Sequence, residues 1–221
     1  MGMANEDTNA MRAFRALEHD SSSVRLQATM AVGTTPDARY IDKLIERCAI
    51  EPDFSVREML TWALTRHSSS LTVPKLIDEL RSERAQARSQ ALHTLSKIGD
   101  RQAWPAITRA LLTDADDEVG RAAWRAAVVL VPEGEESELA AVLVTQLGRG
   151  ERETQLSLSR ALIALGEALM PTLRAAMTDV DPRVRQHAVA TESLILNPDE
   201  GFDSAIEEAK RIAVLTDRPA H

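Results

Sequence analysis

Cysteine occurs once in the 221 residues, aromatic residues make up only 3%, and no apolar run approaches the roughly 18 residues needed to span a bilayer. A single cysteine excludes an internal disulfide, and Cys48 falls in the apolar run 41–50, where a thiol serves as a small hydrophobe. Scarcity of Val, Tyr and Phe relative to Ala and Leu disfavours a sheet and suits closely packed helices. Cationic excess is also missing: 26 Lys and Arg face 34 Asp and Glu, a net charge of −8, which argues against a nucleic-acid binder held by counterion release. The first residues are polar and lack the basic and apolar regions of a signal peptide, so the expectation is a cytoplasmic protein with no membrane partner.

What the chain does have is a repeat. An apolar residue, usually followed by Arg, returns at Val24, Val56, Ala87, Val119, Thr154 and Val184, at spacings of 32, 31, 32, 35 and 30 residues. Counting each of these as offset zero, small or apolar residues recur at offsets 4, 7, 8 and 11, as in Val56, Leu60, Ala63 and Leu64 or Val119, Ala123, Ala126, Ala127 and Leu130. At about 100° per residue these positions form one stripe, so each copy predicts an amphipathic helix. A period near 32 predicts an array of stacked helical hairpins, each burying its apolar face only against its neighbours.

A preceding helix is predicted in each copy, with a proline at its start in three: Pro74, Pro105 and Pro171. Gly99 and Asp100 read as a helix stop followed by a cap, and Asp181 and Pro182 as a cap and first-turn proline for a helix ending near Leu196. About three extra residues around Pro132–Glu135 explain the 35-residue spacing. Residues 10–19 supply the first member of the first hairpin, and 202–214 a helix over the far end. The expected organisation is a single domain over 10–214, with mobile tails at 1–9 and 215–221.

The register, the apolar-Arg start, the run from Leu95 to Asp100 and the recurring proline resemble HEAT repeats, in the short form known from phycobilisome lyases, and the chain is similar to small actinobacterial HEAT-repeat proteins. That resemblance implies an all-α, armadillo-like, right-handed α-solenoid of about six hairpins plus a C-terminal capping helix, and a tendency to bind proteins. In such solenoids the second helix of each pair lines the concave side. Offsets 2, 5, 6 and 9 point away from the core stripe, and they place Trp62, His93, Arg121, Trp124, Arg125 and Arg160 on that groove. Exposed Trp beside Arg is the composition of binding hot spots, so the groove is expected to take a protein partner of acidic or aromatic character. The signature arginines Arg25, Arg57, Arg88 and Arg185 are set apart as an inter-repeat ladder of charge-assisted hydrogen bonds, because Asp20, Asp53, Glu83 and Asp181 precede them.

Catalytic patterns are weaker. The five histidines occupy different offsets, no His-Glu pair recurs as in the iron-dependent HEAT-fold hydroxylases, and neither acidic run, 114–118 or 133–136, has the spacing of a calcium loop. No metal, cofactor or catalytic residue is therefore expected. Alkylpurine DNA glycosylases of HEAT-like fold share the size, but this chain is acidic and offers only Glu58 near Trp62, with Val128 four residues after Trp124. The expectation is a non-enzymatic scaffold, with chromophore lyase activity, implied only by the resemblance to lyase repeats, set aside. A nucleic-acid-binding or transcription-associated regulator using the same groove is the alternative, and a glycosylase the third reading.

Overall fold

The structure is a computed structural model that describes residues 11–198 and 201–216, without the side chains of 203 and 212–216. The tail expected at 1–9 lies outside the described residues, as do residues 217–221 of the tail expected at 215–221, whose first two residues are helical. Among the described residues the chain is helical and contains no strand. The helices are α1 (11–17), α2 (Ser22–Thr34), α3 (Ile41–Cys48), α4 (Phe54–Thr65), α5 (Ser69–Glu79), α6 (Ala85–Ile98), α7 (Arg109–Leu112), α8 (Asp117–Leu130), α9 (Glu136–Val144), α10 (Arg152–Ala164), α11 (Met170–Ala176), α12 (Pro182–Leu196) and α13 (Phe202–Thr216). Even-numbered helices from α2 to α12 begin within three residues of the predicted repeat starts.

Contacts group these helices into two compact units. The described residues up to Thr108, with Glu118–Leu130, form one, while Arg109–Asp117 and the described residues from Val131 onward form the other. In the first unit α4 packs between α2 and α6, with α3 layered against α4 and α6, and α5 against α6. In the second, α12 packs against α10, α11 and α13, and α9 lies beside α10 and α11.

The stripe explains the packing. Offset 4 is buried in every copy (Ala28, Leu60, Ala91, Ala123, Leu158, Ala188), and so is offset 8 in five of them (Val32, Leu64, Leu95, Ala127, Leu162). Alternation of Ala with Leu along these rows lets the helices approach closely while filling the space between them. Helix ends follow the sequence signals. Gly99 turns left-handed at φ 70° and returns its N–H to the Leu95 carbonyl, and the Asp53, Asp100 and Asp181 carboxylates each accept from a backbone N–H of the following turn.

One expectation needs correction. Pro74 is not at a helix start: α5 begins five residues earlier, at Ser69, so the proline sits inside it. In three other copies a 3-10 turn (Ala38–Tyr40, Arg101–Ala106, Gly166–Leu169) precedes or replaces that first helical turn. Of the signature arginines, Arg25 makes the expected charge-assisted bond to the next hairpin, at Glu51, and all four share a contact that the sequence did not predict. Arg25, Arg57, Arg88 and Arg185 each direct Nη1 at the carbonyls six and five residues back, at 2.7–3.2 Å. Each guanidinium thus ties down the turn inside its own hairpin, whose carbonyls lie beyond the preceding helix and outside its hydrogen-bond ladder.

Candidate binding face and polar relays

Exposure along the second helices separates the four offsets that the sequence placed on a groove. Offset 5 is buried in five copies: Thr29, Thr61, Leu92, Trp124 and Ser159. Trp124 is 0% exposed, so its assignment as a groove anchor is corrected. The physical reason lies in α8, where Gly120, Ala122, Ala123, Ala126 and Ala127 are buried as well, so that the buried arc is wider than one stripe. Offset 6 behaves differently. Trp62 is 40% exposed and Met30, which sequence reasoning missed, is 46% exposed, while Arg125 and Arg160 are exposed and His93 is half-buried. Arg160 holds this register on the second unit.

Within the first unit the row has internal order. The Trp62 indole lies over Gly33 of α2, where an added Cβ would overlap the ring, so the absence of a side chain there makes the indole's seat. One turn earlier on α4, Glu58 places Oε1 3.3 Å from Nε2 of His93 on α6. Burial lowers the His93 pKa and the Glu58 charge opposes that, with Arg125 on α8 adding to the lowering. Arg121 is held by Glu118 at 3.0 Å. The face is consequently of mixed sign, with Glu58 and Glu118 beside His93, Arg121 and Arg125.

Buried polar residues form relays that the sequence reading did not identify. Thr94 donates to the Gln90 carbonyl (2.8 Å), which leaves Thr61 to donate across to Thr94 at 3.4 Å. The second unit repeats this with shorter distances: Thr191 donates to the His187 carbonyl and Ser159 donates to Thr191, both at 2.8 Å. In each case an offset-5 hydroxyl meets the offset-7 hydroxyl of the next repeat. His187, buried, accepts the Gly148 N–H at Nδ1 (3.0 Å), so the proton sits on Nε2, facing the Gln155 carbonyl and Ser159 Oγ at 3.0 Å each. Burial pushes this imidazole down to about 4, against the opposing Gln155 carbonyl bond.

A second buried network joins two hairpins of the first unit. Glu51, 0% exposed, accepts both Nε and Nη2 of Arg25 at 2.7 Å, Nε of Arg47 at 2.8 Å and the Asp53 N–H at 2.9 Å. Burial alone would raise this carboxyl; the bonds from Arg25, Asp53 and Arg47 outweigh it and hold it at about 2. Cys48 is buried with its thiol pushed up to about 12, primarily by burial, which makes it core and not a nucleophile. Among the described residues no group of three or more His, Cys, Asp or Glu side chains is placed to hold a metal ion, and no single helix is long and apolar enough to cross a membrane.

No family model matches the chain, and no curated protein does. Among solved structures, the complex of CpcE and CpcF of phycocyanin lyase from Nostoc sp. PCC7120 is similar, at 17% identity and a TM-score of 0.47, over 95% of this chain and 88% of that chain. This chain is a helical-repeat protein. The expectation of a non-enzymatic chain is corrected: a helical-repeat fold by itself gives no ground for excluding an enzyme.

Proposed function

We propose that this helical-repeat protein binds a protein partner through the offset-6 row of the first unit, with Met30 and Trp62 as apolar anchors and His93 and Arg125 beside them. The observation that carries this reading is the row itself: large side chains stay open to solvent at one register of successive helices whose offset-4 and offset-5 positions are closed. Exposed large apolar residues in register, bordered by charges, are what partner-binding surfaces offer. The Gly33 seat adds to it, because a ring held in place loses less freedom on binding. Mixed charge along Glu58, Arg121 and Arg125 favours a partner segment that brings an aromatic or aliphatic side chain to Trp62 and a carboxylate to Arg125.

The test is affinity capture from native lysate with the unaltered protein and a Trp62→Ala/Arg125→Glu variant of matched helicity and melting temperature. A protein held by the first and lost by the second supports the reading. Equal capture by both refutes it. Trp124→Ala does not serve here, since its buried ring reports on folding.

A further inference from the structure

A cavity of about 460 Å³ lies within the second unit, among α10, α12 and α13, in the size range of small-molecule sites. Its apolar part is Phe202 and Ile206, with the Phe202 ring edge-on to His187 at 6.0 Å between centroids. Both His187 nitrogens are engaged internally, so the imidazole contributes a rigid wall and no free donor. Around this floor stand three cations, Arg152, Arg183 and Lys210, against one carboxylate, Glu207. In a chain of net charge −8, that is a local reversal of sign.

We propose that this pocket binds a small organic anion: a flat apolar group resting on Phe202 and Ile206, carrying a phosphate or carboxylate that meets the cations. Arg152 is the first residue of α10 and Arg183 the second of α12, so two helix N-termini add positive potential at the same place. Arg183 pairs with Asp181 at 3.5 Å and Lys210 with Glu207 at 2.7 Å, but both pairs are solvent-exposed. Exposed pairs are weak, and an incoming oxyanion that engages several cations at once displaces them. This site is independent of the proposed protein-binding row, and neither needs the other.

The test is a titration of the full chain with phenyl phosphate and benzoate, followed by amide NMR shifts and calorimetry. Benzyl alcohol and inorganic phosphate serve as controls for the apolar body and the charge alone. At least one aryl anion is expected to saturate in the submillimolar range with shifts centred on α10, α12 and α13, and both controls to bind at least about tenfold more weakly. Arg183→Glu and Lys210→Glu, both exposed and expected to leave the fold intact, each weaken the aryl anion about tenfold or more. Stronger response to phenyl phosphate than to benzoate, or the reverse, identifies the anionic group. Absence of saturable binding by both anions, equal binding of benzyl alcohol, or affinity unchanged in both variants overturns the proposal.

Discussion

Protonating Glu51 is predicted to unlock the joint between the first two hairpins. Its carboxylate receives four hydrogen bonds, two of them from the buried Arg25, and is held at about 2 against an ordinary 4.5. Because the folded value is the lower one, the stabilisation is fully present above about pH 4.5 and disappears as pH falls through about 2. That separation corresponds to about 3 kcal/mol. The assay is urea unfolding followed by circular dichroism between pH 7 and 2, on the unaltered protein and on Glu51→Gln. The variant is already weaker at pH 7, by about 3–5 kcal/mol, since it leaves the Arg25 guanidinium buried without its counter-charge. The decisive quantity is the difference between the two curves, because His187 also titrates and cancels in it. That difference should be constant above pH 5 and shrink by about 3 kcal/mol towards pH 2. Parallel curves over the whole range would refute the assignment of a paired, ionised Glu51.

Three further outcomes are expected. Gly33→Ala pushes the Trp62 ring off its seat and costs about 1–3 kcal/mol in chemical denaturation, and adding Trp62→Leu should recover part of that loss; no recovery would separate the two residues. Trp124→Ala empties a fully buried site and should lower unfolding free energy by about 3–5 kcal/mol, whereas a loss below about 1 kcal/mol would mean the ring is not core. His187 should remain neutral with its proton on Nε2 at pH 6 and titrate near 4 in nitrogen-detected NMR; its stabilisation, complete above the ordinary 6.5, is lost as pH falls through that lower value. A midpoint near 6.5 would contradict the buried relay.

The repeat register was legible because burial of one stripe leaves a periodic trace: offsets 4 and 8 could be read as core from Ala and Leu alone. The caps at Gly99, Asp100 and Asp181 were legible for a similar reason, since each is a local signal with a local partner. Offset 5 was misread because the buried arc of these helices is wider than one stripe, and Trp124 looks the same in sequence whether it faces solvent or core. Met30 sits at the same offset as Trp62 and was recoverable by carrying the register back one repeat. The arginine turn ties were partly visible, since the apolar-Arg pair recurs, but the recipient carbonyls leave no mark in side-chain identity. The bond of Glu51 to Arg25 spans 26 residues and that of His187 to Gly148 spans 39, and neither pairing leaves a short-range signature. The anion pocket was hidden likewise, being assembled from three helices whose lining residues share no motif.

The central claim is that the offset-6 row of the first unit contacts another protein. Its most direct test is photo-crosslinking in cells, with benzoylphenylalanine placed at Trp62 and, as a control, at Arg81, which is exposed in the turn between α5 and α6. A discrete higher-mass adduct from position 62 that disappears with Arg125→Glu, and is absent from position 81, is the predicted result. No adduct at 62, or the same adducts at both positions, would contradict it.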